Sequence, residues 1–509
     1  MKTILKRTLT SAAVAALLAA PLAQATNGYF KIGAGSKNRG LAGAGIAYGQ
    51  DSMAPAVNPA TLSGIGSRVD AGVELFKPKR KGQLDASTID TSAAGPIPGY
   101  TPLAGANSSE KSRSNAFFIP HFGISKAWTS DITLGLAVAG NGGMNTRYGD
   151  ADAGNGNIYT DAFGPVVGNC SGDPSCPPSP PFPPQFSGFA GLLQAGGAPA
   201  SALGPNLTNL YTNPNGGPAL GVNLAQALIL PTIAYRINQN HSVGFSPVIG
   251  YQSFRAYGLG LFQGLSSDPG NVTNNGNDSV WGYGAKIGYQ GTFGNFSFGA
   301  TAQSKIYMDE FDKYAGLFAE QGDFDIPPTY GVGVSYKATP KLVIAADVSR
   351  ILYSEVAAIS NKGPTADEFF GGFANALIAG SGANLPNGLG KNDGWGFGWD
   401  DVWVYKVGVD YAYSSAWTFR AGYNYAEVPY EDDQSLFNIL APAVVEHHVT
   451  AGFTRALNST SEITVTYMHA FRNDTEYTYQ GTGQNAAFSF TAKNDMYQNA
   501  LEVSYGMRF

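Results

Sequence analysis

The sequence is poor in cysteine, histidine and charge. Its 509 residues include 2 Cys and 5 His, too few for a disulfide scaffold or a Cys-rich zinc protein. Charged residues make up 13%, about half the ~25% usual for soluble domains. Long apolar runs are also scarce: beyond residue 25 no stretch reaches the ~18 apolar residues of a membrane helix. Mean hydropathy is -0.10, which excludes a helical membrane bundle. Glycine is abundant instead, at 66 residues, about twice the ~7% norm. There are also 27 Tyr and 29 Phe, too many apolar and aromatic groups for a disordered chain. Few charges, much glycine and many aromatics without long apolar spans suggest a β-barrel with an apolar outer surface.

Residues 1–25 read as an address. They begin with Lys2, Lys6 and Arg7, continue through an apolar stretch over 12–20, and end in Ala23-Gln24-Ala25. That is the pattern of a secretory signal peptide cut before Thr26. No Cys sits at the cleavage site, so the chain is not a lipoprotein. Removing this segment takes away three cations and no acid from a chain of formal charge -6, which argues against a nucleic-acid partner. Export also permits a disulfide between Cys170 and Cys176. An exported chain without a membrane helix is periplasmic, secreted or an outer-membrane barrel.

Alternation separates these. Trp417, Phe419, Ala421, Tyr423 and Tyr425 fall on one face of a strand; Thr418, Arg420, Gly422 and Asn424 fall on the other. The last segment repeats this with Leu501, Val503, Tyr505, Met507 and Phe509 against Glu502, Ser504, Gly506 and Arg508. In a barrel the apolar face meets lipid and the polar face lines the lumen. Strands are expected near 67–78, 114–126, 131–141, 229–237, 242–255, 279–290, 294–307, 328–338, 341–355, 402–413, 416–426, 445–456, 461–472 and 495–509. Short turns alternate with long loops, of which 142–228 is the longest. A soluble β-sandwich would also alternate, but the loop rhythm and terminal Phe509 favour a membrane barrel. The expected fold is therefore all-β: a 14-stranded antiparallel transmembrane β-barrel over 67–509. Residues 26–66 are rich in Gly and Ala and precede the first strand. A lumen enclosed by so many strands leaks unless filled, so this segment is expected to plug it.

The ordered set of Asn58-Pro59-Ala60, Trp417-Thr418-Phe419-Arg420-Ala421-Gly422-Tyr423 with Pro429, Ser435-Leu436-Phe437-Asn438-Ile439-Leu440-Ala441-Pro442 and Tyr467-Met468-His469 resembles the FadL/TodX family. These are outer-membrane transporters of hydrophobic compounds, and the likeness is to the long-chain fatty acid branch. The resemblance implies a monomeric barrel plugged by an N-terminal hatch at 26–66, with Asn58, Pro59 and Ala60 as the hatch motif. It implies passive transport: ligand is captured in an apolar groove of the outer loops and passes to a lumen pocket. The hatch then rearranges, and ligand leaves sideways past a kinked strand. Which strand is kinked cannot be read from the sequence. The long loop with Cys170, Cys176 and its Pro-rich run departs from better-known members; it could form a lid or be a plain surface loop.

A fatty acid needs an apolar wall and a cation. Each buried methylene contributes roughly 0.8 kcal/mol, so the chain dominates affinity. The third and fourth outer loops offer Leu259, Leu261, Phe262, Leu265, Phe311, Tyr314, Leu317 and Phe318 as the capture groove. These residues could equally pack loop against loop. Alternation turns Lys286, Lys406 and Arg420 inward, and Arg147 sits just above the third strand. These four are the carboxylate candidates, Lys406 foremost because its strand matches the family well. Each could instead pair with a lumen acid such as Asp347, Asp410 or Glu502.

No cofactor, metal site or nucleophile constellation is expected, so the chain does not read as an enzyme. The partners expected are long-chain fatty acids or other hydrophobic small molecules, outer-membrane lipids and lipopolysaccharide, and the barrel-assembly machinery through Phe509. Uptake of aromatic or aliphatic hydrocarbons is the nearest alternative. A general hydrophilic porin is another, disfavoured by the plug segment.

Overall fold

Hydrocarbon offers no partner to a backbone N–H, so a sheet that crosses a membrane must leave no edge. The computed structural model describes residues 26–87, 106–149, 157–167, 219–369, 371–372, 385–483 and 489–509. Within them, fourteen long strands follow one another in chain order. They are β1 (Arg68–Asp85), β2 (Phe117–Ala127), β3 (Ile132–Asn145), β4 (Gly221–Arg236), β5 (His241–Tyr257), β6 (Asp278–Phe293) and β7 (Phe296–Gln303), then β8 (Thr329–Thr339), β9 (Leu342–Ile351), β10 (Val402–Ala412), β11 (Trp417–Ala426), β12 (His447–Ala456), β13 (Ser461–Gln480) and β14 (Ser489–Arg508). Each pairs antiparallel with its neighbour, and β1 pairs with β14 to close the barrel. No helix among the described residues is long and apolar enough to cross a membrane.

The alternation read from the sequence is the alternation of the wall. Phe419, Tyr423, Leu501, Val503 and Tyr505 are exposed on the outside, while Arg420, Asn424, Glu502 and Ser504 are buried within. Every expected strand is present, and the boundaries shift most at the outer ends. β1 reaches Asp85, β13 reaches Gln480, and β14 starts at Ser489. These extensions pair with one another, Thr478 opposite Thr491 and Gly82 opposite Asn494. They rise beyond the apolar belt, so their Asn, Asp, Thr and Lys residues carry no apolar alternation. β4 likewise begins at Gly221 rather than 229, so the loop after β3 shortens to 146–220. β7 stops at Gln303 rather than 307 because Pro327 and Pro328 precede β8 and have no N–H to donate.

Residues 26–66 lie inside the barrel. Their only α-helix, α1 (Ser36–Gly40), is wholly buried. The lumen wall receives the segment through charge. Arg39 bonds Glu74 of β1 at 2.8 Å and Glu502 of β14 at 2.6 Å. Lys31 bonds Glu74 at 2.7 Å, and Lys37 bonds Glu462 of β13 at 2.5 Å. Backbone groups are met as well. Gly45 and Ile46 donate N–H bonds to one oxygen of Asp347, at 2.7 and 3.0 Å, and Ser52 donates to Asp70 at 3.0 Å.

Asn58-Pro59-Ala60 shows what that motif does. The Asn58 side chain caps the short 3-10 helix Pro59–Gly64 by accepting from Ala60 N at 3.0 Å. Its amide donates to Ile46 O at 2.6 Å and to Tyr289 O of β6 at 3.0 Å. Gly288 leaves the room: a Cβ there would lie 1.9 Å from Asn58 Oδ1. The glycine in mid-strand is therefore a seat for the hatch.

Breaking a buried ion pair by removing one partner costs on the order of 3–5 kcal/mol. Arg39→Ala leaves Lys31 as the one hatch cation shared by Glu74 and Glu502. We expect the variant barrel to insert normally, but its N-terminal segment to become sensitive to protease and the channel to leak small hydrophilic solutes. Wild-type protection and conductance would refute this.

Candidate functional site

Two cavities lie along the barrel axis. The inner one has a volume of about 150 Å³ between hatch and wall. Phe30, Lys31, Ile46 and Val57 line it from the hatch; Ala139, Gly140, Asn141, Leu228 and Leu230 line it from β3 and β4. Across the lumen it meets Lys286 of β6, Gln303 of β7 and Lys406 of β10. The outer cavity, about 40 Å³, sits among the outer loops. Its lining of Phe254, Leu259, Phe262, Leu317, Phe318, Trp395, Phe397, Phe437 and Leu440 carries no charge.

The groove candidates divide. Leu259, Phe262, Leu317 and Phe318 line the outer cavity. Leu261, Leu265, Phe311 and Tyr314 are buried in the packing around it. Tyr314 donates its hydroxyl to Gly276 O at 2.5 Å, and Phe311 packs on Phe254 with centroids 5.6 Å apart. An aromatic column then leads inward, from Phe318 to Phe324 at 4.8 Å and on to Tyr29 of the hatch at 6.3 Å. Beside it, in the loop before β8, burial and the neighbouring Asp325 charge push the Asp323 carboxyl up to about 6.

The cations divide too. Arg420 bonds Asp410 at 2.7 Å and Thr454 at 2.6 Å. Arg147 is exposed, its backbone N–H bonded to Ser112. Neither lines either of these two cavities. Lys286 and Lys406 both line the inner one, and neither forms an ion pair with a carboxylate among the described residues. Lys286 donates to Ala56 O of the hatch at 2.5 Å. Lys406 stands opposite Asp347 on one side and Asn424 on the other. Asp347 is itself engaged by the hatch through one oxygen; the other accepts nothing. Cys170 and Cys176 lie outside the described residues, as do residues 1–25.

The row continues. Asn424 stands opposite His448 of β12, so Asp347, Lys406, Asn424 and His448 form one inward-facing level across four strands. Asn424 is fully buried, and neither its amide nitrogen nor its oxygen makes a hydrogen bond. The His448 ring is approached by the backbone of Asn424 and Glu446 without closing a hydrogen bond of good geometry. Buried polar groups are nearly always satisfied, so each exception calls for an explanation such as a water or a ligand. The sequence carried a signal for this row. The short turn at 413–416 fixes the register of β10 against β11 and so sets Asn424 beside Lys406.

The wall itself is interrupted in one place beside the inner cavity. β2 pairs with β3 only from Phe122 opposite Val138 to Ala127 opposite Thr133. Beyond Val138, β3 pairs with β4 alone, with a bulge between Gly140 and Gly142. From Ala137 onward nearly every β3 residue is buried on both faces. The hatch takes the place of β2: Lys31 N donates to Asn141 O at 2.9 Å, and Gly143 N donates to Tyr29 O at 3.1 Å. A Cβ at Gly142 would sit 2.1 Å from Tyr29 O. The interrupted and bulged strand is thus β3.

An apolar mouth, an inner cavity and a wall interrupted beside it, all inside a closed barrel, are the parts of a channel for hydrophobic molecules. Residues 208–509 match the family described as outer membrane protein transport protein (OMPP1/FadL/TodX). The chain belongs to this family. It is therefore an outer-membrane channel for hydrophobic compounds. Its fold is also that of solved members of the FadL/TodX family. The toluene transporter TodX of Pseudomonas putida is 17% identical, with a TM-score of 0.57 over 94% of this chain and 99% of that one. A FadL homologue of Pseudomonas aeruginosa is 13% identical, with a TM-score of 0.57 over 95% and 100%. The toluene transporter TbuX of Ralstonia pickettii is 16% identical, with a TM-score of 0.51 over 94% and 99%. At such identities the likeness establishes the fold and leaves the ligand open. No curated protein matches the chain significantly.

Gly142→Val forces either the hatch start or the β3 bulge to move, and overpacking of this kind costs about 1–3 kcal/mol. We expect a correctly inserted barrel with a lowered Tm and hydrophobic uptake reduced by roughly tenfold. Uptake equal to wild type would separate the bulge from transport.

Proposed function

We propose that the protein carries long-chain fatty acids passively across the outer membrane. The observation that supports this most is the inner cavity, where Lys286 and Lys406 present ammonium groups with no carboxylate bonded to either. A hydrocarbon has no use for them; a carboxylate does. In this reading the outer cavity captures the chain, and each methylene taken from water contributes roughly 0.8 kcal/mol. Ligand then descends beside the aromatic column. Its carboxylate meets Lys406, with Asn424 and His448 as further polar partners, and its tail lies toward Leu228 and Leu230. Hatch movement at Tyr29 and Lys31 frees it to leave between β2 and β3. Residues 1–25 act as the export signal, and residues 26–66 as the hatch. The mature protein works as a monomer after assembly through Phe509, which is exposed at the periplasmic rim.

The second reading is uptake of aromatic or aliphatic hydrocarbons. The uncharged lining of the outer cavity favours it, because a hydrocarbon is fully served there. A hydrophilic porin fits poorly, since the lumen is filled by residues 26–66.

The deciding experiment compares labelled oleate, toluene and a small sugar in cells that lack their own transporter and express this chain. We expect oleate uptake without sugar uptake. Lys406→Ala should weaken oleate binding by about tenfold, near 1.4 kcal/mol, and leave toluene binding unchanged. Equal oleate affinity in the variant removes Lys406 from the site. Toluene uptake without oleate moves the assignment to hydrocarbons.

A further inference from the structure

The lipid-facing side of β1 changes character at one level. From the periplasmic end its outward positions are Val69, Ala71, Val73 and Leu75; the next three are Lys77, Lys79 and Lys81. Alternate residues share a face and lie about 7 Å apart along a strand. The neighbouring strands agree on the level. On β14, Met507, Tyr505, Val503 and Leu501 stand opposite the apolar four, then give way to Asn499 and Tyr497. On β2, Phe118 stands opposite Leu75 and is exposed. The short strand Asn107–Lys111 then places Lys111 directly opposite Lys81. Four lysines therefore share one patch where the apolar belt ends on the extracellular side.

Among the described residues no carboxylate is paired with them. The acids of β13 and β14 at this level are engaged elsewhere. Asp495, opposite Lys81, bonds Arg472 at 3.1 Å. Asp474 and Glu476 both bond Lys493, at 2.8 and 2.7 Å. Like charges set opposite each other across a sheet are destabilising. General basicity does not account for the patch either, because the chain as a whole carries -6. The missing anion must sit at headgroup level, directly above an apolar surface.

We propose that Lys77, Lys79, Lys81 and Lys111 bind a phosphorylated glycolipid of the outer leaflet. Its phosphates lie on the ammonium groups, and its acyl chains run down over Val73, Leu75 and Phe118. The apolar surface below the lysines is what makes this a lipid site rather than a site for free anions. A lipid held there bridges β1 to the short strand beside it, next to the seam with β14 that closes the barrel. Lysines near a membrane surface each add an electrostatic increment that salt screens.

The test uses the full-length protein in detergent, stripped of lipid and followed by native mass spectrometry. It is titrated with bis-phosphorylated lipid A and with the same lipid after removal of its phosphates. Wild type should retain the phosphorylated form at least about tenfold more tightly, and the K77Q/K79Q/K81Q/K111Q variant should lose that preference. K337Q/K341Q, at a short turn on the periplasmic side, should keep it. Equal binding by wild type and the quadruple variant overturns the proposal. So does full competition by millimolar inorganic phosphate, which would mark a free-anion site. If the quadruple variant fails to insert, the single variants K77Q and K111Q must each lower retention while the corresponding Arg variants preserve it; no loss in either Gln variant overturns the proposal.

Discussion

The constraint on which this structure depends is that a backbone in hydrocarbon must satisfy its own hydrogen bonds. Closure of β1 on β14 meets it for the sheet as a whole. Closure of fourteen strands also encloses a lumen, and an open lumen is a leak. The hatch fills it, but a filler made of polar backbone and charged side chains needs partners of its own. The wall provides them as carboxylates, buried at Glu74, Glu502, Asp70, Asp347 and Asp410 and half-buried at Glu462, all facing inward. Where the hatch is cationic, at Lys31, Lys37 and Arg39, the wall meets it with Glu74, Glu462 and Glu502. Their mutual burial is sound only while both are in place.

The same constraint governs the interruption at β3. A strand cannot leave its neighbour in lipid without orphaning N–H and C=O groups. β3 leaves β2 above Val138, and part of what it gives up is returned by Tyr29 and Lys31 of the hatch. Its outer half is also buried on both faces, away from hydrocarbon. The interruption is therefore a substitution of one partner for another. Gly142 makes it sterically feasible, since any side chain there meets the Tyr29 carbonyl.

Much of this was legible beforehand. Period-two alternation gives the strands, their inward and outward faces, and the inward direction of Lys286, Lys406 and Arg420. Polar residues such as Ser130, Gln239, Ser415 and Ser459, with Pro340, mark the short turns. What escaped has a common cause: it depends on register or on hatch contacts. Arg420 and Lys406 look equivalent by alternation, yet Arg420 bonds Asp410 while Lys406 opens on the cavity. The extensions of β1, β13 and β14 escaped because strands beyond the membrane have no lipid face to impose a pattern. Gly140 and Gly142 are unremarkable among 66 glycines. Only the hatch tells them apart.

Hatch and wall opening are mechanically one device. The gap has two sides. Near one lie Glu74 of β1, Glu502 of β14 and His121 of β2, with His121 Nδ1 at 3.1 Å from Glu502. The other is β3 itself. The hatch holds both: Lys31 bonds Glu74 through its side chain and Asn141 O through its backbone. A single residue thus spans the opening that a sideways-moving ligand would use. Shifting Lys31 far enough to clear the path breaks an ion pair and a backbone hydrogen bond together. Each alone is a modest cost, and the fully buried Glu74 still keeps a cation beside it. Arg39 bonds the same Glu74 and stays within the hatch body. Arg39 therefore ties the hatch body to β1 and β14 independently of Lys31.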